Sequence, residues 1–351
     1  MRYIARRLGM SQDTLLIWGA GAIGGTLGAY LGRAGEDVLL VDQVEAHVAA
    51  MNAGGLAIEG PVEAFTQPVR ATMPGALEGR YRRIILAVKA QDTLAATAAL
   101  KPHLAADGFV LSAQNGLNER AIAAEVGTAR TMGCFVNFGA DWLGPGRILY
   151  GNRGAVVVGE IDGRLTERAA AMHATLARFE PDAVLTDNIW GYLWGKLAYG
   201  AMLFATALDD ASMTENFDAA AYFPVWHRLG REVMAVARAE GVTPIGFNGF
   251  DPMAFLPEAP EAAARASVAL LADFNRHTAK THSGIWRDLA VRKRRTEVDA
   301  QIAVIAEIGA AHDVPTPAIR RLVALIHDIE DGRRAQSWAT LDELLATCRV
   351  S

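Results

Sequence analysis

The sequence predicts an α/β fold, a doubly wound parallel sheet followed by an all-helical C-terminal domain. Short apolar runs alternate with helix-like segments over the first 120 residues, which is typical of buried parallel strands joined by helices. A glycine-rich turn at residues 19–24 joins the first run to the first helix. Almost every segment after residue 187 has helical spacing, so the sheet is expected to end before that point.

The expected strands are short, mostly apolar runs, as strands covered on both faces are. They are predicted at residues 14–18, 37–41, 83–88 and 108–112. Helices are expected at residues 22–34, ending at Gly35, and at residues 93–100. Farther along, residues 147–150 and 155–158 flank a turn rich in glycine and asparagine, which predicts a β-hairpin.

The second half of the chain is predicted to be helical. Asp187 is the expected N-cap of a helix whose apolar residues recur at steps of three and four, namely Trp190, Trp194, Leu197, Ala201, Phe204 and Leu208. A loop follows at residues 241–260, and a long helix at residues 285–311 should end before Pro315. The predicted organisation is a flexible N-terminal extension (residues 1–13), a dinucleotide-binding domain (14–186) and a helical substrate and dimerisation domain (187–351).

Composition excludes several classes of function. The 351 residues carry 34 basic and 39 acidic side chains, and the net charge of -5 argues against nucleic-acid binding. No apolar stretch reaches the roughly 20 residues that cross a bilayer, and the N-terminus lacks the apolar core of a secretory signal, so a cytoplasmic protein without membrane partners is expected. The eight histidines are scattered, and His277 and His282 lack the spacing of a helical metal-binding pair, so no metal site is expected.

The turn at residues 19–24 reads Gly-Ala-Gly-Ala-Ile-Gly, directly after a strand and before a helix. In such a pattern the first glycine makes a tight turn, the second lets backbone approach a pyrophosphate, and the third allows close helix packing. The turn is therefore expected to bind a dinucleotide through Gly19, Gly21, Ala22, Ile23 and Gly24. The alternative is a tight turn without a ligand.

Asp42 closes the second predicted strand, where an acidic residue binds the adenosine ribose of a dinucleotide. A carboxylate there repels a 2′-phosphate, and Gln43 and Val44 rather than an arginine follow it. The residues by themselves therefore favour NAD over NADP. The alternative is that Asp42 is a turn residue pointing to solvent.

Lys196 is the only charged side chain between Asp187 and Asp209, in an otherwise apolar helix. Because an ammonium is costly to bury, Lys196 either reaches water or has a function. Gly200 lies one turn later on the same face and leaves room for a ligand beside the amine. The alternative is a snorkelling lysine whose stem covers the apolar face.

Other polar residues have both structural and functional interpretations. Glu297 is a candidate site residue, but Lys293 and Arg294 stand four and three positions before it and could form a surface ion pair. Ser283 could cap a helix or bind a carboxylate. Asn115 follows the carboxyl end of a parallel strand, where α/β sheets bind ligands, although Asn-Gly is also an ordinary turn pair.

Taken together, these segments resemble the ketopantoate reductase (2-dehydropantoate 2-reductase) family. The matching motifs occur in family order over roughly residues 14–330: residues 19–24, Val88-Lys89-Ala90, Gln114-Asn115-Gly116-Leu117, Trp194-Gly195-Lys196-Leu197-Ala198 and Arg294-Arg295-Thr296-Glu297-Val298-Asp299. The resemblance implies a Rossmann-type domain and a helical C-terminal domain. A homodimer would form through the apolar surface of the helical domain. It also implies reduction of 2-dehydropantoate or a related 2-oxo acid by a nicotinamide cofactor, with NADP the family norm, and a place in pantothenate biosynthesis.

The resemblance further implies the roles of individual residues. Lys196 would be the general acid, Glu297 would orient the reacting group, and Lys89 and Asn115 would contact the cofactor. Asn115 would also lie by the substrate, and Ser283 would contact its carboxylate. Two further substrate-binding candidates come from the residues themselves: Gly200, through the space it leaves beside Lys196, and His282, near the expected position of the carboxylate.

The chain departs from the family at substrate-binding positions. Gly200 and Phe204 stand where family members typically carry asparagines, which argues against ketopantoate itself as the substrate. His282 and Arg287, near the expected position of the carboxylate, favour a bulkier or more anionic 2-oxo acid. Two other functions remain open: another hydroxy-acid or opine-type dehydrogenase on the same plan, or a non-catalytic NAD(H)-sensing protein.

Overall fold

The computed structural model describes residues 12–277 and 281–349, which form two compact units. The first unit comprises residues 12–114 and 118–187, and the second comprises residues 115–117 and 188–349. The N-terminal extension predicted at residues 1–13 lies outside the described residues, apart from Gln12 and Asp13. Both of these contact Arg82, whose backbone N–H donates to the Gln12 carbonyl and whose guanidinium pairs with Asp13.

The first unit is an α/β domain, as the sequence predicts. Its described strands are β1 (Leu15–Trp18), β2 (Val38–Val41), β3 (Leu56–Glu59), β4 (Phe65–Gln67), β5 (Arg70–Thr72), β6 (Tyr81–Leu86), β7 (Leu104–Ser112), β8 (Thr131–Val136), β9 (Gly139–Gly144), β10 (Arg147–Asn152), β11 (Val156–Glu160) and β12 (Val184–Leu185). Its described helices are α1 (Ala22–Arg33), α2 (Glu45–Gly54), α3 (Thr93–Leu100), α4 (Asn118–Val126) and α5 (Glu167–Leu176). The main sheet has the order β12-β11-β8-β7-β6-β1-β2-β5 and is parallel except between β8 and β11.

Both faces of the main sheet are covered, which explains why its central strand β1 is apolar and fully buried. In β1, Leu15 and Ile17 pack on one face, in the same cluster as Leu27 of α1. Leu16 packs on the other face, in the cluster that contains Leu100 of α3. The alternation of side chains along the strand therefore supplies two separate cores, and the doubly wound arrangement is confirmed.

The hairpin predicted at residues 147–158 is wrong. β10 pairs with β3 and β9 in a second sheet of order β4-β3-β10-β9, whereas β11 pairs with β8 and β12 in the main sheet. At Gly154 a Cβ would lie 2.2 Å from the Asn137 carbonyl oxygen, so this segment packs against a neighbouring backbone and does not turn back. The hairpin turn lies instead at Pro145, between β9 and β10, where Gly144 and Gly146 have positive φ angles.

The second unit is helical in its described part. Its helices are α6 (Ile189–Ala205), α7 (Met213–Asp218), α8 (Phe223–Ala239), α9 (Glu261–Arg276), α10 (Gly284–Ala290), α11 (Val304–Ala311), α12 (Pro317–Glu330) and α13 (Trp338–Arg349). The N-cap of α6 is Asn188 and not Asp187, since the Asn188 side chain accepts a hydrogen bond from the backbone N–H of Gly191. The predicted apolar face is buried, except that Trp190 is half-buried.

Among the described helices, none combines the length and apolarity needed to span a membrane.

The long helix predicted at residues 285–311 is also wrong, because the chain breaks after α10. Lys293 has a φ angle of 50°, which a regular right-handed helix does not allow. The buried carboxylate of Asp288 accepts hydrogen bonds from the guanidinium groups of Arg292 and Arg294. These charge-assisted bonds hold the irregular segment in place, and the helical spacing of the sequence does not reveal them.

The two cysteines of the chain carry buried free thiols. Cys134 lies in β8 of the first unit, and Cys348 lies in α13 of the second. Burial raises the pKa of the Cys348 thiol to about 12, so this thiol stays protonated near neutral pH.

Glu119 is a buried acid in the first turn of α4, with no solvent exposure of its side chain. Burial raises the pKa of its carboxyl group from about 4.5 to about 8. Between these two pH values the unfolded chain releases a proton that the folded chain retains. The free energy of unfolding should therefore fall as pH rises through this window and level off above it.

We expect Glu119→Gln to remove this dependence, because the amide is close in shape and does not ionise. The variant should match the unaltered protein near pH 5 and be the more stable of the two at pH 9, since each pKa unit corresponds to about 1.4 kcal/mol. Urea unfolding at both pH values measures the difference. Glu125→Gln, at a half-buried position of the same helix, is the control, and equal pH dependence in both variants would contradict the prediction.

Candidate active site

The glycine turn at residues 19–24 is built by very close backbone approaches. Gly19 has a φ angle of 98°, and a Cβ there would lie 2.8 Å from the carbonyl carbon of Ala87 and from the nitrogen of Val88. A Cβ on Gly24 would lie 2.0 Å from the Gly19 carbonyl oxygen. Neither position therefore accepts a side chain, and both glycines serve the turn and the packing of α1 against the sheet.

Gly21 differs from these two glycines, because a Cβ built on it would meet nothing within 4 Å. Gly21 is the N-cap residue of α1 and is half-buried, as are Ala22 and Ile23 in the first turn. The first N–H groups of a helix have no partner inside the helix, and its N-terminus favours anions. Open space, accessible backbone and the helix N-terminus coincide here, in an arrangement that fits a phosphate group.

Asp42 lies beside this turn. One of its carboxylate oxygens accepts a hydrogen bond from the backbone N–H of Ala20 at 2.9 Å, and the other accepts from the backbone N–H of Val44 at 2.9 Å. Asp42 is half-buried and therefore does not point into solvent, as the alternative interpretation required. Each carboxylate oxygen keeps a second lone pair that can accept a ligand hydroxyl.

Two residues near the turn escape the sequence analysis, His47 and Gln114. His47 in α2 is buried, and its ring contacts the Ala20 carbonyl oxygen at 2.9 Å. The side-chain amide of Gln114 donates to the Val88 carbonyl at 3.0 Å, joining the segments that follow β6 and β7. A lone histidine in a helix carries no signal of this role, and Gln114 could have been selected only as part of the matching motif that also contains Asn115.

Lys89 and Asn115 follow the carboxyl ends of β6 and β7, and both are exposed. The loop of residues 115–117 belongs to the helical unit, although its neighbours on both sides belong to the sheet unit. The side-chain oxygen of Asn115 accepts a hydrogen bond from the Lys196 ammonium, with an Nζ–Oδ1 distance of 2.6 Å. The structure therefore brings together Lys196 and Asn115, two of the predicted site residues.

Lys196 lies on the accessible stripe of α6, which consists of Tyr192, Lys196, Gly200 and Leu203. These residues are half-buried, whereas the remainder of the helix is buried except for Trp190 at its start. At Gly195 a Cβ would lie 2.3 Å from the Ile245 carbonyl oxygen, so the neighbouring face of α6 is closed by backbone. A Cβ on Gly200 would meet nothing within 4 Å, as expected of space left for a ligand.

Ser283 and His282 already have hydrogen-bond partners. Ser283 is 3 % exposed and caps α10, with its Oγ accepting from the backbone N–H of Trp286 at 3.1 Å. The structural interpretation of this serine is therefore correct, although the hydroxyl proton can still be donated. The ring of His282 contacts the Thr281 hydroxyl and the Asp210 carbonyl and lies against Trp286.

Glu297 is half-buried and lies two residues before a π-helical segment, Asp299–Ala303, which packs against α6. Single π-helical turns are frequent at functional sites. Residues 293–297 are not helical, so the helical spacing on which the ion pair of Glu297 with Lys293 or Arg294 was predicted is absent. Arg294 instead pairs with Asp288.

Among the described residues, no cluster of His, Cys, Asp and Glu could hold a metal ion.

Comparison with known proteins identifies two family models along the chain. The model described as "Ketopantoate reductase PanE/ApbA" matches residues 15–163, and "Ketopantoate reductase PanE/ApbA C terminal" matches residues 188–330. A relative from Mesorhizobium japonicum named 2-dehydropantoate 2-reductase is 27% identical, with 92% of this chain and 99% of the relative covered.

Two solved structures are similar over nearly their whole length. The crystal structure of a PanE/ApbA family ketopantoate reductase from Ralstonia eutropha JMP134 has a TM-score of 0.76 and 29% identity, with 91% of this chain and 99% of that chain covered. A ternary structure of D-mandelate dehydrogenase with NADH and anilino(oxo)acetate has a TM-score of 0.78 and 24% identity, with the same coverage. The second likeness shows the fold alone.

We expect Gly24→Ala to lower the free energy of unfolding by about 3 kcal/mol, because its methyl group would overlap the Gly19 carbonyl oxygen. Gly21→Ala is the matched control within the same turn, since its methyl group would enter open space, and it should have a much smaller effect. Denaturant unfolding of both variants measures the difference. Equal loss of stability in the two would contradict this account of the turn.

Proposed function

The chain belongs to the ketopantoate reductase family, and we propose that it reduces a 2-oxo acid to the 2-hydroxy acid with hydride from NADH or NADPH. The observation that carries the proposal is the hydrogen bond from Lys196 Nζ to Asn115 Oδ1 on the accessible stripe of α6. An enzyme that adds hydride to a carbonyl carbon also needs a donor that gives a proton to the carbonyl oxygen, and the accessible ammonium of Lys196 can serve as that donor. Because the relative from Mesorhizobium japonicum is named 2-dehydropantoate 2-reductase, 2-dehydropantoate is the first substrate to test.

The residues of the glycine turn fit a dinucleotide cofactor. The open position at Gly21 and the N–H groups of Ala22 and Ile23 would hold the pyrophosphate. Asp42 would accept hydrogen bonds from the adenosine ribose, and the exposed Lys89 and Asn115 would contact other parts of the cofactor. When bound, the nicotinamide supplies the hydride.

Lys196 would act as general acid in this reaction. Hydride addition to the 2-carbonyl carbon places negative charge on the carbonyl oxygen, and the ammonium stabilises that charge electrostatically. Transfer of one proton from Nζ to this oxygen completes the hydroxyl group and leaves a neutral amine, which solvent then reprotonates. Asn115 would orient the ammonium through its side-chain oxygen, and Glu297 would orient the reacting hydroxyl or carbonyl group.

Substrate recognition would use residues of the helical unit. The Ser283 hydroxyl can donate its proton to the substrate carboxylate while its oxygen continues to cap α10. His282 would border the same group. The space at Gly200 lies beside Leu203 on the accessible stripe of α6, which favours a 2-oxo acid with a larger apolar substituent.

The two other functions make different use of Lys196. An opine-type or other hydroxy-acid dehydrogenase would keep it as proton donor, and the range of accepted substrates would separate these enzymes. A non-catalytic NAD(H)-sensing protein has no use for an ammonium on this stripe. Its cofactor binding would persist without oxidation of NADH or NADPH by any 2-oxo acid.

We expect Lys196→Met to lower kcat about a hundredfold or more, since general acids contribute about 10²–10⁴ to rate. The Kd of NADH should change little, because Lys196 is not part of the glycine turn. The assay follows nicotinamide absorbance with 2-dehydropantoate and with 2-oxo acids of increasing side-chain size.

Lys101→Met is the matched control, since Lys101 is an exposed lysine paired with Glu125 in the sheet unit. It should leave kcat unchanged. An unaltered rate in Lys196→Met would remove Lys196 from the mechanism. Absence of activity on every 2-oxo acid, together with intact NADH binding, would favour the sensing protein.

We expect NADH to give a kcat/KM about tenfold higher than NADPH, because the Asp42 carboxylate would repel a 2′-phosphate at close range. Asp42→Ser should reduce this ratio while keeping an oxygen that can accept from Ala20. Initial rates with both cofactors at low concentration provide the measurement. A clear preference of the unaltered protein for NADPH would show that Asp42 does not contact the ribose.

A further inference from the structure

We propose that His47 is a positioning residue that holds the glycine turn in the conformation required for cofactor binding. This inference rests on the proposed use of a dinucleotide. His47 lies in α2 and is 1 % exposed, so it cannot itself touch the reacting atoms. It acts through Ala20, the residue between Gly19 and Gly21.

The hydrogen bonds of His47 determine which of its ring nitrogens carries the proton. The backbone N–H of Gly146 donates to Nδ1 at 2.9 Å, so Nδ1 is unprotonated. Nε2 lies 2.9 Å from the Ala20 carbonyl oxygen, which can only accept, so Nε2 carries the proton. A neutral imidazole thus connects two backbone groups and satisfies both of its own nitrogens.

The bond to Ala20 determines where the next N–H group points. In a trans peptide the carbonyl and the following N–H point in opposite directions. Holding the Ala20 carbonyl toward His47 therefore directs the Gly21 N–H away from α2. On the other side of Ala20, its own N–H is held by Asp42. Both peptide groups around this residue are thus oriented before any ligand arrives, which lowers the entropic cost of binding.

The other partner of His47 is itself well anchored. Gly146 follows Pro145 in the turn between β9 and β10, and its carbonyl accepts from the backbone N–H of Ala57 at 2.8 Å. The same sheet packs against α1, since a Cβ on Gly25 would lie 2.4 Å from the Ile148 side chain. The second sheet therefore supports the glycine turn, and His47 provides the hydrogen-bonded connection between them.

The test compares His47→Phe, which keeps a planar ring without hydrogen bonds, with His47→Gln, which keeps a donor and an acceptor. We expect His47→Phe to raise the Kd and the KM of NADH about tenfold, through loss of a buried hydrogen bond. The kcat at saturating NADH and the KM of the 2-oxo acid should stay within about twofold, since the bonds lost are confined to the glycine turn. His47→Gln should recover most of the affinity.

Glu59→Gln is the control for general weakening of the second sheet. It removes the ion pair between Glu59 and Arg147 on β3 and β10 without touching the glycine turn. NADH affinity should be unchanged in this variant. A loss as large as that in His47→Phe would mean that sheet stability matters and not the histidine bond, and the proposal would be wrong.

The remaining outcomes distinguish failure of the role of His47 from failure of the proposed function. Unchanged NADH affinity in His47→Phe would overturn the role of His47 and leave the proposed function intact. If neither NADH nor NADPH binds the unaltered protein, the proposed function fails and this inference fails with it. The tautomer gives a measurement that needs no variant: nitrogen-15 NMR of the imidazole should show Nε2 protonated, and a protonated Nδ1 would overturn the proposal.

Discussion

The close approach of α1 to the end of β1 is the constraint on which the first unit depends. The Gly24 position lies so near the Gly19 carbonyl that no side chain can stand there. This approach turns the chain sharply into the helix and brings the helix N-terminus to the edge of the sheet. It also places Ala20 where Asp42 and His47 can hold its two peptide groups. The features of the glycine turn that fit a phosphate group therefore depend on this backbone contact.

The parts of the fold with local signals could be predicted from the sequence. The buried strands, the first helix with its end at Gly35, and α3 all depend on apolar periodicity and on glycine conformation within a few residues. The glycine turn could be predicted for the same reason, because its spacing reflects packing between adjacent elements. The pairing of Lys196 with Asn115 joins residues 81 positions apart, and only the family resemblance suggested that they act together.

The errors and omissions share a physical cause, since each depends on a pairing of strands or side chains that the local spacing of apolar residues does not show. β10 and β11 look like the arms of a hairpin, yet each pairs with strands of a different sheet. The helix predicted through Lys293 has suitable spacing but is broken where Asp288 draws two arginines toward it. The partners of His47 lie 27 and 99 residues away. No pattern around such residues distinguishes them from ordinary core or surface positions.

The two buried thiols can report local opening of the folded protein. One sulfhydryl lies inside each compact unit, and both are shielded in the native state. A thiol reagent can modify either sulfur only when that part of the chain opens, because the reactive form is the solvated thiolate. The rate of alkylation at each cysteine, followed by mass spectrometry, would therefore measure local opening of the sheet unit and of the helical unit separately. No introduced label is needed.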